Sequence, residues 1–425
     1  MLPTASKLAT LTAPDAFWWA TGIEDTFITA PHPRTGRRLD EYELTDHYRR
    51  WRSDLELMRE LGVPAARYGV PWHRIQATRT TWDWRHADEP LGRMLELGIS
   101  PQVDLVHYGL PGWIEDAYFN PDFPQLVADF AGRLAERFKG RIHWYTPLNE
   151  PRVTAWYCGR LGWWPPYGRS WRGFVAVMLA LAAGIQATAA RLKEVNPEIV
   201  VYHVDATDLY ESDDPALQDE VKRRQHIVYL ALDLVSGRVT DGHPLRRWLA
   251  AQNADSARLD ALVSGAAPLE VIGLNLYPLF SRKRLLRDRG GRLRTRMPYT
   301  ETNLIDRIAQ GYFDRYGTPM MVSEAATSGP VARRLGWLET SVDSLARLRG
   351  KGVPIVGYTW WPMFALVTWA WRQGNRDVSQ HLLQLGLWDL DEALERIRTP
   401  VVDAYRSLIA AGSQRVGCLA PASHG

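Results

Sequence analysis

Cysteine is scarce in this chain: Cys158 and Cys418 are the only two among 425 residues. They lie far apart and show no metal-ligand spacing, so the sequence predicts neither a disulfide-stapled fold nor a cysteine metal centre. His203 and Asp205 lie two residues apart, but no third ligand stands at a useful spacing. We therefore expect no metal and no cofactor.

Targeting and membrane signals are also missing. The N-terminal residues 1–7 (MLPTASK) lack a basic segment followed by a long apolar one, and no run of about 18 apolar residues suggests a membrane span. A formal charge of +3 is too small to indicate nucleic-acid binding. These absences predict a cytoplasmic protein with a small-molecule substrate. They leave the oligomeric state open.

Aromatic residues are abundant, with 19 Trp, 17 Tyr and 10 Phe. A core rich in large rings explains most of them. Some could instead stack on a flat, partly apolar ligand, since aromatic faces bind such surfaces well. Hydrophobic content of 46% provides ample core for a globular chain.

Short apolar runs alternate with helical patterns along the whole chain. The predicted strands cover residues 17–21, 63–70, 99–106, 142–145, 199–204, 269–276, 319–323 and 353–360. This alternation predicts a parallel sheet covered by helices, and eight units without a linker favour a (β/α)8 TIM barrel. An open doubly wound sheet is disfavoured because no Gly-rich phosphate turn is present. We expect one catalytic domain over residues 1–425, with a loose leader at about 1–14 and a loose tail at about 412–425.

Polar side chains stand where the predicted strands end, which in such a barrel is the catalytic face. They are Glu24 with Asp25, Arg67, His107, Asn149 with Glu150, Asp205, Asn275 with Tyr277, Glu324, and Trp360 with Trp361. Glu150 and Glu324 follow the fourth and seventh strands. Cleavage of an acetal needs one acid for the departing oxygen and one carboxylate for the oxocarbenium-like carbon. These two glutamates could supply both.

Either glutamate alone would be weak evidence, because a carboxylate at a strand end is usually solvated or paired with arginine. Glu301 is a poor candidate, since no apolar strand precedes it and Thr302 and Asn303 indicate the polar start of a helix.

Several motifs resemble those of the family 1 glycoside hydrolases, from about residue 17 to residue 408. Residues 146–151 (TPLNEP) fit T-x-N-E-P with one extra residue, and residues 67–75 (RYGVPWHRI) fit R-F-S-I-S-W-x-R-I. Residues 107–111 (HYGLP) are similar to H-W-D-L-P, and residues 273–277 (GLNLY) to G-x-N-Y-Y. The T-E-N-G signature is degenerate here as residues 323–326 (SEAA). Residues 357–369 (GYTWWPMFALVTW) align without a gap with G-Y-F-x-W-S-L-x-D-N-F-E-W.

The resemblance implies roles for the matching positions. Glu150 would be the general acid and base, and Glu324 the nucleophile. The remaining positions would bind substrate: Asp25, Arg67, His107, Asn149, Asn275, Tyr277, Trp361, Thr368 and Trp369. Within this set Asn149 would hold the sugar 2-hydroxyl, Tyr277 would touch Glu324, and Trp361 would form the platform under the sugar.

Two of these positions depart from the family pattern. Thr368 stands where the family has the glutamate that grips the 4- and 6-hydroxyls, and Asp25 falls on its first-strand glutamine. The resemblance therefore implies a retaining β-glycosidase whose glycone is not plain glucose or galactose. The 4- or 6-position would be deoxygenated or modified, and one variant is a 6-phosphoglycoside bound by Arg372 or Arg376. A biosynthetic transglycosidase and a non-hydrolytic sugar-binding barrel remain as alternatives.

A basic run covers residues 282–296, with eight Arg and Lys residues against the single acid Asp288. Such a run is usually a solvated, mobile loop. A lid that attracts an anionic aglycone or partner is the alternative.

Overall fold

Eight parallel strands close into a barrel in the computed structural model, which describes residues 7–420. The strands are β1 Trp18–Gly22, β2 Ala65–Gly69, β3 Ser100–Asp104, β4 Trp144–Thr146, β5 Val200–Ala206, β6 Val271–Asn275, β7 Met320–Ala325 and β8 Ile355–Trp360. Each strand pairs with its neighbours in chain order, and β8 pairs with β1 to close the ring. The (β/α)8 prediction is confirmed.

A long helix follows each strand. These helices are α1 His47–Leu61, α2 Arg85–Glu96, α3 Phe123–Arg137, α4 Trp171–Val195, α5 Gln218–Val235, α6 Leu304–Tyr316, α7 Val331–Gly350 and α8 Pro400–Ala411. Apolar residues at helical spacing face the barrel, as Phe130 and Leu134 of α3 show by their complete burial. Glycines in the left-handed conformation end α1 and α6, at Gly62 and Gly317.

Shorter elements decorate the loops between these units. The short helices are Lys7–Leu11, Glu41–Leu44, Trp72–Ile75, Pro151–Ala155, Arg246–Ala251 and Ser256–Ser264. The short paired strands are Phe27–Ile28 with Leu39–Asp40, Leu366–Val367 with Leu382–Leu383, and Trp388–Leu390 with Arg396–Arg398. The first two strand pairs lie in loops on the carboxyl side of β1 and β8.

The expected loose ends of the chain are wrong for the part that the structure describes. Lys7–Leu11 is helical, and Leu11 is buried with Ala20 and Trp144 inside the barrel. In the tail, the Leu419 amide donates to the Pro14 carbonyl at 2.8 Å. A buried apolar residue and backbone hydrogen bonds fix both segments. Residues 1–6 and 421–425 lie outside the described part.

Helix α4 bears on the expected absence of a membrane span. Its 25 residues are long and apolar enough to cross a membrane by length and composition, with a mean hydropathy of 1.8 in its most apolar window. However, 67% of that window is buried inside the protein, as in the core helix of a globular chain. The sequence expectation overlooked this helix. The cytoplasmic location stays a prediction.

Candidate active site

The polar strand-end residues meet at one mouth of the barrel. Arg67, Asn275 and Glu324 lie on β2, β6 and β7, whose carboxyl ends share this face. His107 and Glu150 follow β3 and β4 in the connecting loops. Hydrogen bonds join these five side chains into one buried network through Asn149. The structure thus brings the predicted pair of glutamates into a single site.

Glu324 lies near the end of β7, where the pairing register with the neighbouring strands shifts. Its Oε1 accepts a hydrogen bond from Nη1 of Arg67, and its Oε2 accepts one from the Tyr277 hydroxyl at 2.7 Å. Burial raises the pKa of Glu324 to about 8, with Arg67 acting to lower it and Glu150 to raise it. The expected contact between Tyr277 and Glu324 is therefore present.

Glu150 follows β4 and begins the helix Pro151–Ala155 with a left-handed backbone (φ 44°). Such a conformation is costly for a residue with a side chain and is often found at functional sites. Its Oε1 accepts a hydrogen bond from Nδ2 of Asn275 at 2.8 Å, and its Oε2 accepts one from the Tyr108 hydroxyl. Both donors are neutral, whereas Glu324 receives a guanidinium.

Arg67 connects the two halves of the site. Its Nη2 donates to Oδ1 of Asn149 at 2.6 Å and also to Oδ2 of Asp104. Asp104, at the end of β3, is fully buried beside this arginine and was not among the predicted site residues. No local signal marks it, because only the fold brings β2 and β3 side by side.

His107 links Asn149 to the first strand. The Asn149 amide nitrogen lies 2.8 Å from Nε2 of His107, and Nδ1 of His107 lies 2.5 Å from Oδ1 of Asp25. Because Asn149 Oδ1 accepts from Arg67, its nitrogen faces His107, and it can donate there only while Nε2 is unprotonated and Nδ1 carries the proton. Burial acts to lower the pKa of His107, but Asp25 and Asp104 raise it well above its ordinary value. Burial raises the pKa of Asp25 to about 6, which His107 opposes.

A family model and this geometry point the same way. The model described as glycosyl hydrolase family 1 matches residues 20–250, more than half of the chain. The chain belongs to glycosyl hydrolase family 1. It is accordingly a glycoside hydrolase of the β-glucosidase type.

Individual relatives of this family 1 enzyme extend over nearly the whole chain. A bifunctional β-D-glucosidase/β-D-fucosidase from Bifidobacterium breve is 26% identical over 92% of this chain and 93% of its own length. The solved structure of a family 1 β-glucosidase from Thermotoga maritima has a TM-score of 0.82 at 19% identity, covering 94% of this chain and 98% of that one. A structure of the Thermotoga maritima β-glucosidase in complex with cyclophellitol has a TM-score of 0.80 at the same identity, again over 94% and 98%. The structural likeness shows the fold.

Asp25 does not reach the open side of the family 1 site. It is fully buried behind His107, and its carboxylate fills the space that a side chain at Gly69 would need. Its direct contact with substrate stays a prediction, which this burial does not favour. The preceding residue, Glu24, lies on the other side, where its Oε2 accepts from Nε1 of Trp361 at 3.1 Å.

Trp361 itself is fully buried. The Arg67 guanidinium lies 4.7 Å from its ring centre, and Gly22 provides the room, since a Cβ there would lie 2.2 Å from the ring. The role of Trp361 as the platform under the sugar stays a prediction. Tyr277 and Trp369 are only partly buried, so they carry the accessible aromatic surface near the glutamates.

Thr368 and Trp369 stand beside each other on the loop after β8. The Thr368 hydroxyl lies 3.2 Å from Nδ1 of His381, while the Trp369 ring centre lies 5.4 Å from that of Tyr108. The proposed phosphate contact of Arg372 is wrong. Arg372 is buried and donates to the backbone carbonyls of Trp163 and Ala30, at 2.7 and 2.9 Å, so it ties loops together. Arg376 is exposed.

Two groups resemble metal sites by composition only. In the described chain, Glu24, Asp25 and His107 offer ligand atoms within 4.8 Å of one another. The two carboxylates approach different ring nitrogens of His107, however, and Nε2 already contacts the amide nitrogen of Asn149. The three side chains therefore do not direct their ligand atoms at one common point where a metal ion could bind. His203, considered earlier with Asp205, faces the Pro268 carbonyl at 3.3 Å, and burial lowers its pKa to about 4.

The basic run is a β-hairpin rather than a mobile loop. Strands Arg282–Arg287 and Leu293–Arg296 pair antiparallel, and the first also pairs with Leu209–Glu211. Leu285 is buried, and Nε of Arg282 donates to Glu211 at 2.6 Å. Acidic partners from a distant loop neutralise part of the charge, which the local sequence could not show. Its alternative role as a lid stays a prediction.

Proposed function

We propose that this family 1 enzyme is a retaining β-glycosidase in which Glu324 is the nucleophile and Glu150 the general acid and base. The whole chain would act as one catalytic domain without a cofactor. The observation that carries the proposal is the unequal set of donors: Glu324 receives the Arg67 guanidinium, and Glu150 receives neutral hydroxyl and amide groups. A permanent positive partner suits a carboxylate that must attack as an anion.

The two carboxyls would share one proton at rest. Burial and repulsion by Glu150 raise the pKa of Glu324, while Arg67 acts in the opposite direction. Protonation of Glu150 removes that repulsion, and Glu324 can then ionise beside Arg67. We place the proton on Glu150 for this reason.

The reaction would then proceed in two displacements. Glu324 attacks the anomeric carbon, the bond to the aglycone oxygen breaks, and Glu150 gives its proton to that oxygen. Water next attacks the anomeric carbon of the glycosyl-enzyme, Glu150 takes its proton, and the bond to Glu324 breaks. The free sugar leaves with its original β configuration, and both glutamates regain their starting states.

The glycone would lack a full set of hydroxyl contacts at its 6-position. Thr368 replaces the glutamate of the family motif, and its hydroxyl already contacts His381. A carboxylate that accepts from two hydroxyls discriminates by a few kcal/mol, about 10²-fold, and threonine cannot replace it. The relative from Bifidobacterium breve is named a glucosidase and a fucosidase, and D-fucose is a 6-deoxy sugar. A 6-deoxy glycone is therefore the form we favour.

We assign sugar-binding roles to the side chains of the network that lie closest to the open side of the site. Asn149 and His107 would hold the hydroxyls next to the anomeric carbon, and Asn275 would position Glu150. Glu24 would take hydroxyls on the side of Trp361, since it is about as accessible as the two catalytic glutamates. Asp25 would act through His107.

A panel of aryl β-glycosides tests the proposal. It should include gluco, galacto, 6-deoxy and 6-phospho glycones, with the configuration of the first product followed by NMR. Turnover with a β product and a preference for 6-deoxy glycones is expected. An α product would refute the double displacement. Binding without turnover would indicate the sugar-binding alternative, and transfer to alcohols in preference to water would indicate a transglycosidase.

A further inference from the structure

Tyr108 contacts the general acid and base directly, although tyrosine is not the residue of the family motif at this position. In the stretch HYGLP it stands where the H-W-D-L-P motif has tryptophan. Its hydroxyl donates to Oε2 of Glu150, the oxygen that Asn275 leaves free. A tryptophan at this position has no hydroxyl, and its single N–H lies elsewhere on the ring. The hydrogen bond to Glu150 therefore depends on the tyrosine of this sequence.

The Tyr108 ring is held firmly in place. It is buried between His107, Trp164 and Trp369, with ring centres 4.5, 5.1 and 5.4 Å away. The Tyr118 hydroxyl donates to the Tyr108 carbonyl at 2.8 Å. The backbone of Tyr108 is left-handed (φ 69°), a costly conformation that the surrounding contacts must maintain. The hydroxyl is thus preorganised toward Glu150.

The tyrosine remains a donor throughout the working pH range. Burial and the neighbouring carboxyl of Glu150 raise the pKa of Tyr108 well above its ordinary value. A neutral hydroxyl donates more strongly to a carboxylate than to a carboxylic acid. The contact therefore favours the form of Glu150 that exists after proton transfer.

We propose that Tyr108 is a positioning residue that stabilises the Glu150 carboxylate formed when the aglycone departs. The inference rests on the proposed role of Glu150 as acid and base. In the first step, the proton moves from Glu150 to the leaving oxygen, and the Tyr108 hydroxyl donates to the carboxylate left behind. In the second step, the same hydrogen bond makes Glu150 a weaker base toward water.

The two steps respond oppositely to loss of the hydroxyl, which gives the proposal a specific signature. Phenyl and alkyl glycosides need protonation of the leaving oxygen, whereas a 2,4-dinitrophenolate leaves without it. Tyr108→Phe should lower kcat/KM for phenyl and alkyl glycosides by roughly 10-fold or more, the scale of a hydrogen bond to a charged group. The kcat for dinitrophenyl glycosides should stay the same or rise.

The pH dependence gives a second readout. The basic limb of the kcat/KM profile reports deprotonation of the free enzyme's acid. Loss of a donor to the carboxylate should move this limb up by about one pH unit. If Tyr108→Phe lowered activity equally for all leaving groups and left the pH profile unchanged, Tyr108 would have a merely structural role and the proposal would be overturned. Wild-type kinetics in Tyr108→Phe would also overturn it.

Tyr405→Phe is the matched control. It removes one buried tyrosine hydroxyl from α8, which donates to the backbone carbonyls of Ala20 and Tyr358 at 2.6 and 3.2 Å rather than to Tyr108 or either glutamate. It should show neither the dependence on the leaving group nor the pH shift. Glu150→Ala separates this inference from the proposed function. If Glu150→Ala were to turn over phenyl glycosides as fast as the wild type, the acid and base role itself would fail. If Glu150→Ala loses that activity but Tyr108→Phe shows no signature, only the inference about Tyr108 fails.

Discussion

The Arg67 guanidinium donates to the Glu324 carboxylate with both side chains at most 5% exposed. The same guanidinium also contacts Asn149 and Asp104 through its other terminal nitrogen. A planar fork can serve partners in two directions at once, which a single ammonium cannot. The pair therefore sets both the charge of Glu324 and the position of the neighbouring amide.

Arg67→Lys should damage activity and stability together. The lysine can reach Glu324 or the Asn149 side but not both, so kcat/KM should fall by about 10²-fold or more, and the free energy of unfolding should fall by roughly 3 kcal/mol. Steady-state kinetics and urea denaturation measure the two effects. Arg50→Lys is the control, because Arg50 forms a partly exposed pair with Glu395. Wild-type activity in Arg67→Lys would contradict the assignment of Arg67.

Glu324→Gly should reduce turnover of aryl glycosides by at least about 10⁴-fold, since it removes the attacking carboxylate. Azide can then enter the vacated space, attack in its place and restore part of the activity as an α-glycosyl azide. Product analysis by NMR checks the configuration. Glu301→Gly serves as the control at a partly buried glutamate just before α6. Undiminished turnover by Glu324→Gly would exclude it as the nucleophile.

Much of the fold follows from local sequence. Continuous apolar runs and helical spacing located all eight strands, and Glu150 and Glu324 were found because they end two of these runs. The different surroundings of Glu24 and Asp25 could not be read from the motif. Both residues lie just beyond β1, where Glu24 contacts Trp361 and Asp25 contacts His107.

Contacts between distant segments could not be read from the sequence. Asp104 becomes part of the site only when β3 lies beside β2, and the basic hairpin is ordered by Glu211 from the loop after β5. The motif located Trp361 in the sequence. Its burial beside the Arg67 guanidinium depends on packing between distant segments and could not be predicted from that motif.

Glu24→Gln and Asp25→Asn should affect the kinetics of different glycones in different ways. Glu24 lies near the pocket, so its amide variant should raise KM for glycones that carry hydroxyls on the Trp361 side, by roughly 10-fold, and less for deoxy glycones. Asp25 acts on the site through His107, so Asp25→Asn should lower activity by a similar factor for every glycone. Kinetics with a deoxy series distinguish the two patterns. Identical patterns for the two variants would contradict the different roles assigned to Glu24 and Asp25.

Stability should depend on pH through the proton that Glu324 shares with Glu150. Burial and repulsion by Glu150 raise the pKa of Glu324 from 4.5 to about 8, so the folded pair keeps one proton in this range, which we place on Glu150. The folded state therefore binds more protons than the unfolded state between these values, and the contribution to stability is lost as pH rises toward 8. Relative to the wild type, Glu324→Gln should gain roughly 3 kcal/mol in unfolding free energy between pH 5 and pH 8. Urea denaturation at both pH values measures this change.

Asp54→Asn provides the contrast of opposite sign. Burial acts to raise the pKa of Asp54, but hydrogen bonds from His47 and Arg396 outweigh it and lower that pKa. The contribution of Asp54 to the free energy of unfolding is present above its unfolded pKa and disappears in acid.

For Glu324→Gln, the same difference from the wild type in unfolding free energy at pH 5 and at pH 8 would contradict the raised pKa of Glu324.

Thr368→Glu should supply the carboxylate that the family motif places at this position to bind hydroxyls of the glycone. A carboxylate at this position can accept from two sugar hydroxyls, so kcat/KM for glucosides relative to 6-deoxy glycosides should rise by about 10-fold or more. Thr368→Gln is the control, since it has nearly the same size without the charge. Both variants lose the hydroxyl contact with His381, so any effect of that loss cancels in the comparison. If the ratio were the same in Thr368→Glu, Thr368→Gln and the wild type, residue 368 would not determine the glycone, and the preference for 6-deoxy sugars would need another cause.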